Sequence, residues 1–84
     1  MRYLISYDLN TPGKNYQALW DAIAGLSAQR VLLSQWITRR SNTSAQGLRD
    51  YLWAFMDAND RLLVVCMDSA DWASMNTMVN PNTL

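Results

Sequence analysis

Histidine and glutamate are absent from this 84-residue chain, and lysine and cysteine occur once each, as Lys14 and Cys66. Without histidine, the commonest general base and metal ligand near neutral pH is missing. Any catalysis must then rest on Asp, Tyr, Ser, Lys or Arg helped by a metal, and zinc chemistry is disfavoured. A single cysteine excludes an intrachain disulfide and a Cys-rich metal site, and gives no sign of an oxidising compartment. No apolar run approaches the ~20 residues that span a bilayer. The opening residues are interrupted too early for a signal peptide, so the expectation is a cytoplasmic protein with no membrane partner. Seven basic residues balance seven aspartates. That neutrality weighs against tight non-specific nucleic-acid binding, which draws on many Lys and Arg contacts to phosphate.

Half of the residues are hydrophobic and four are tryptophan, which argues for a packed core with apolar surface left over for a partner. A domain of this size buries roughly 60% of its unfolded surface, so association would add useful stability. The chain reads as one domain, residues 1–84, without repeats, linkers or low-complexity segments.

Arg2 to Asp8 alternates as a strand, with Tyr3, Ile5 and Tyr7 on one face and Leu4, Ser6 and Asp8 on the other. It closes on a carboxylate just before the turn Asn10–Lys14, a position where many sites lie. From Asn15 to about Leu26, the residues Tyr16, Leu19, Trp20, Ile23 and Leu26 fall on one helical stripe, with Asn15 or Thr11 as the candidate cap. Gln29 to Arg39 has strand composition and a break near Ser34-Gln35, which predicts two short strands or one strongly bulged strand. Thr43-Ser44-Ala45-Gln46 fits a capping box with Thr43 as cap. It precedes a second helical stripe, Leu48, Tyr51, Leu52, Phe55 and Met56, which ends in the turn Asp57–Asp60. Arg61 to Met67 is a continuous apolar run, expected as a strand buried on both faces beside the first one. Ser69 to Met75 is expected to form a helical turn with Trp72 and Met75 packing back, and residues 76–84 a frayed tail.

Strand, helix, strand, strand, helix, strand is the α+β ferredoxin-like pattern βαββαβ: a four-stranded antiparallel sheet with two helices on one face. The open face of that sheet is apolar in part, and a second copy is the simplest cover, giving a symmetric homodimer.

Three stretches resemble one known family. The strand ending Tyr7-Asp8, the segment Arg30-Val31-Leu32-Leu33-Ser34-Gln35-Trp36-Ile37 and the run Asp60-Arg61-Leu62-Leu63-Val64-Val65 resemble, in order, parts of the second CRISPR-associated protein, the small partner of the spacer integrase. The chain is also similar to that family's stand-alone relatives, the VapD-type toxins and the SinR-like small proteins. Asn59 to Val64 followed by Asp71-Trp72-Ala73 looks most like the SinR-like group. The resemblance implies a ferredoxin-like homodimer in which Asp8 meets its symmetry mate and holds Mg²⁺, in some members for cleavage of RNA or DNA. Paired carboxylates supply hard oxygen ligands, and the ion activates water and neutralises phosphate charge. Ser6 and Asn10 are the further candidates near Asp8, and Ser34 a candidate for orienting substrate. Residues 68–84 do not read as the strand that many members exchange across the dimer, which points to an orphan relative.

Each functional reading has a plainer one beside it. Asp8 also suits a turn cap through Asn10 and Thr11. Arg39 and Arg40 are candidate phosphate contacts or simply solvated arginines. Trp20 reads as core, and Trp36 as part of a dimer interface or a base-stacking platform. Two functions follow: a Mg²⁺-dependent nuclease with paired Asp8, or a non-catalytic dimeric module binding protein or nucleic acid.

Overall fold

The computed structural model describes residues 1–84. Its elements are β1 (Arg2–Asp8), α1 (Gln17–Ala24), β2 (Gln29–Leu32), β3 (Gln35–Arg39), α2 (Ala45–Trp53) and β4 (Arg61–Cys66), with a single 3₁₀ turn at Pro81–Thr83. The strands form one antiparallel sheet in the order β2-β3-β1-β4, the ferredoxin-like arrangement. No helix is long and apolar enough to cross a membrane.

Alternation along β1 divides the molecule. Tyr3, Ile5 and Tyr7 are buried against Leu19 and Ile23 of α1 and Leu48 and Leu52 of α2. These residues recur at i and i+4 on their helices, so each helix turns one narrow apolar face to the sheet. Thr38, buried on the same side, donates its hydroxyl to the Leu26 carbonyl at 2.7 Å and ties the end of α1 to β3.

The helix starts differ from expectation in instructive ways. Asn15 Oδ1 accepts from the Gln17 N–H at 2.9 Å, and α1 starts at Gln17 and ends at Ala24. At α2 the cap is Ser44, whose Oγ accepts from the Gly47 N–H at 3.0 Å. Thr43 and Gln46 are therefore one residue out of register for a capping box. A Cβ on Gly47 would meet Thr43 Oγ1 at 3.1 Å and Ser44 Oγ at 3.4 Å, so the glycine keeps room for the cap.

The run from Arg61 is corrected by the topology: β4 lies beside β1 but at the sheet edge, and only one of its faces is covered. Leu62, Val64 and Cys66 pack toward the helices, while Leu63 and Val65 remain exposed. Trp36 is corrected too. It pairs with Ile5 and packs against the helix-side core, so it is not on the open face. No helical turn forms at 69–75, where Trp72 packs inward and Met75 is 85% exposed.

Residues 76–84, expected to fray, lie across part of the open face. Val79 and Leu84 join Leu4 and Trp72 around the buried trio Val31, Ile37 and Met67. The Met78 N–H donates to the Val31 carbonyl at 2.8 Å, extending hydrogen bonding beyond the β2 edge. Arg39 reaches the Leu84 carbonyl at 2.6 Å, and Arg2 donates to the same oxygen. A cavity of about 280 Å³ remains between this segment and the sheet.

Candidate functional site

The open face thus has a covered half over β2, β3 and the start of β1, and an uncovered strip along the far end of β1 and β4. Antiparallel register brings Asp8 opposite Arg61, Ser6 opposite Leu63 and Leu4 opposite Val65 on that face. Asp8 Oδ2 stands 3.7 Å from Arg61 Nη1, with both side chains more than half exposed. An exposed pair of this kind contributes little stability. Ser6 Oγ accepts from Gln35 Nε2 at 3.2 Å. Asp8, Ser6, Arg61 and Leu63 line a shallow depression with Tyr7 and Leu62.

The other sequence candidates are not gathered here. Asn10 is taken up by the neighbouring turn: its N–H donates to Asp60 Oδ1 at 2.8 Å and its amide nitrogen to the Asn59 carbonyl at 3.0 Å. Ser34 lies in the β2–β3 turn, where its carbonyl accepts from the Tyr7 N–H at 3.2 Å. Arg39 pairs with Arg2 at the opposite end of β1 from Asp8, roughly 20 Å away at strand rise. Arg39 is spent on Leu84, and Arg40 is exposed. No group of three or more Cys or Asp side chains converges as metal ligands.

The aromatic platform is occupied from within. The Arg30 guanidinium sits 4.9 Å from the Trp36 ring centre and 5.7 Å from that of Trp20. Arg30 Nη2 and Trp36 Nε1 both donate to the Tyr7 hydroxyl, at 3.2 and 3.0 Å. A base would have to displace Arg30 to stack on Trp36.

One polar cluster went unread in the sequence. Asp60 is 5% exposed and accepts from the Asn10 N–H at 2.8 Å, the Tyr16 hydroxyl at 2.7 Å and the Asp57 N–H at 2.8 Å. Burial opposes its charge, but the Asn10 and Asp57 N–H groups, the Tyr16 hydroxyl and the Lys14 charge outweigh burial and hold its carboxyl below the ordinary range. Lys14 and Asp57 pair at 2.8 Å. That hydrogen bond is the main reason the lysine is shifted up and the aspartate down. The cluster clamps the β1–α1 loop to the α2–β4 turn. Its signal was an Asp-rich turn facing a polar loop about fifty residues away, which no local pattern joins.

No known protein family matches this chain, and no solved structure gives a significant match. The uncovered strip offers one carboxylate, one guanidinium, one hydroxyl and two exposed aliphatic side chains. The guanidinium of Arg61 stands beside the Asp8 carboxylate, and a cation in that place opposes the binding of a metal ion there.

Proposed function

We propose that this chain is the subunit of a homodimeric interaction module, an orphan relative of the small ferredoxin-like CRISPR-adaptation subunit, that assembles through the uncovered strip of its sheet. The observation carrying the reading is that Leu63 and Val65, 60% and 37% exposed, project from one face of an edge strand. Covering them is worth about 1 to 2 kcal/mol per side chain, and a two-fold axis doubles the gain. The resemblance is supported by the element order and by Asp8 closing β1. The single unspent arginine, Arg40, is too little for tight phosphate binding, so the reading favours a protein surface over RNA or DNA. Substituting Leu63→Lys tests it: the variant should keep its fold and lose the dimer, and a variant that dimerises as well as the parent contradicts the reading.

A second reading, a Mg²⁺-dependent nuclease with paired Asp8 carboxylates, is favoured by the location of Asp8 at the end of the same strip. A single copy does not fit the ion. Mg²⁺ takes near-octahedral oxygen ligands, and here one carboxylate faces Arg61. The reading requires that two copies stack face to face. It predicts Mg²⁺-dependent cleavage of RNA or DNA that Asp8→Asn abolishes, while Asp8→Asn leaves folding stability within about 0.5 kcal/mol of the parent. Cleavage that persists in Asp8→Asn excludes this site.

A further inference from the structure

The two edges of the sheet are treated differently. At β2 the strand is interrupted by a register shift between Arg30 and Leu32, and the Val31 carbonyl is taken by the Met78 N–H. Both features protect an edge from strand addition. At β4 neither device is present. No backbone bond from a loop or the C-terminal segment reaches residues 61–66. The interior from Leu62 to Cys66 has no proline, lysine or other charge.

The hydrogen bonds also identify which groups face outward. The Met67 N–H donates to the Arg2 carbonyl at 2.9 Å, so the Arg2–Met67 pair is of the hydrogen-bonded kind. In an antiparallel ladder these pairs alternate. The main-chain groups of residues 61, 63 and 65 therefore turn toward β1, and those of Leu62, Val64 and Cys66 turn away from the sheet. An added strand would be read by these three residues.

We infer that β4 pairs antiparallel with β4 of a second copy, about a two-fold axis at Val64, to give a continuous eight-stranded sheet. This rests on the homodimer reading above and specifies its geometry. A two-fold centred on Val64 sets Val64 opposite its mate and Leu62 opposite Cys66 of the other copy, so every outward N–H meets an outward carbonyl. On the open face it sets Leu63 beside Val65 of the other copy, so the exposed aliphatic side chains of the two copies touch flank to flank as cross-strand pairs.

The ends are complementary in charge. The apolar run is preceded by Arg61, 76% exposed and only loosely paired with Asp8 of its own copy at 3.7 Å, and followed by Asp68, 42% exposed, which accepts from the Arg2 N–H at 3.1 Å and stands 3.9 Å from the N-terminal amine. Antiparallel pairing brings Arg61 of each copy beside Met67 and Asp68 of the other. An unrelated extended peptide would answer only by chance to this polarity, whereas a second copy answers to it by symmetry. The same geometry separates the two Asp8 carboxylates by roughly 20 Å or more, from strand spacing and rise, so edge pairing and a shared Asp8 metal are mutually exclusive.

Residue-resolved amide exchange on the full chain, at dilute and at millimolar protein, tests the inference, with sedimentation run in parallel. The expected result is a dimer at high concentration, in which the amides of Leu62, Val64 and Cys66 exchange about tenfold more slowly than in the dilute monomer, the scale of one net hydrogen bond. The inward amides of Leu63 and Val65 should change far less. A dimer whose three outward amides exchange as in the monomer overturns edge pairing and leaves the homodimer reading standing. A chain that stays monomeric at millimolar concentration overturns both. Leu63→Lys, at an exposed position, should raise the dimer dissociation constant at least about tenfold without changing exchange in the helix-side core, and an unchanged constant also overturns the pairing.

Discussion

Replacing Asp60 with asparagine removes a charge from the most completely satisfied carboxylate in the molecule. Asp60 Oδ1 receives two donors, Asn10 N–H and Tyr16 O–H, and Oδ2 receives the Asp57 N–H. An asparagine keeps one oxygen and presents an NH₂ where the other oxygen stood, so at least one donor faces a donor. Hydrogen bonds to a charged group contribute roughly 1.5 to 3 kcal/mol each, and an unsatisfied buried donor costs about 1 to 3 kcal/mol. With partial relaxation of the loop, Asp60→Asn should cost about 2 to 4 kcal/mol. A domain of this length has roughly 4 to 13 kcal/mol in total, so the midpoint temperature should fall by at least about 10 °C.

The pH dependence carries an independent sign. The folded carboxyl is held below its ordinary value of 3.8. Its contribution is therefore fully present above that value and is lost as pH falls through the depressed folded pKa. Urea titrations followed by tryptophan fluorescence, from neutral pH down to the acid limb, should give the parent a steeper acid loss than Asp60→Asn. A variant within about 0.5 kcal/mol of the parent at neutral pH, or one with the same acid slope, refutes the clamp.

Two further substitutions probe local order. Ser44→Ala removes the oxygen that receives the Gly47 N–H and should cost about 1 kcal/mol in thermal or urea unfolding, whereas Thr43→Ala should cost clearly less. Thr38→Val keeps the shape of a buried side chain but leaves the Leu26 carbonyl without its 2.7 Å donor. It should cost about 1 to 2 kcal/mol, with faster amide exchange at the C-terminal end of α1.

The parts of the fold legible in the sequence were those written in short periods. Tyr3, Ile5 and Tyr7 alternate and are buried together, and Leu19 with Ile23, and Leu48 with Leu52, recur at helical spacing and meet them. The element order follows from these patterns. Arg61 to Met67 misled because an apolar run implies burial only if both faces are covered within one copy, and here Leu63 and Val65 are not. The segment 76–84 misled because Val79 and Leu84 have no periodicity. Their packing depends on Val31, Ile37 and Met67, which are distant in sequence. Asp8 was legible as a strand-end carboxylate on the open face. Its partner Arg61, and the spending of Asn10 on Asp60 and of Arg39 on Leu84, arise from register and tertiary contact.

Two features thus remain on the uncovered strip, an unprotected strand edge and a pair of exposed aliphatic side chains, and the proposed homodimer would use both. Sedimentation equilibrium of the full chain over a wide concentration range tests this most directly. The expected mass rises from one copy to two with concentration and, for a contact that is mainly apolar and main-chain, does so at high salt as well. A mass of one copy at every concentration would contradict the homodimer.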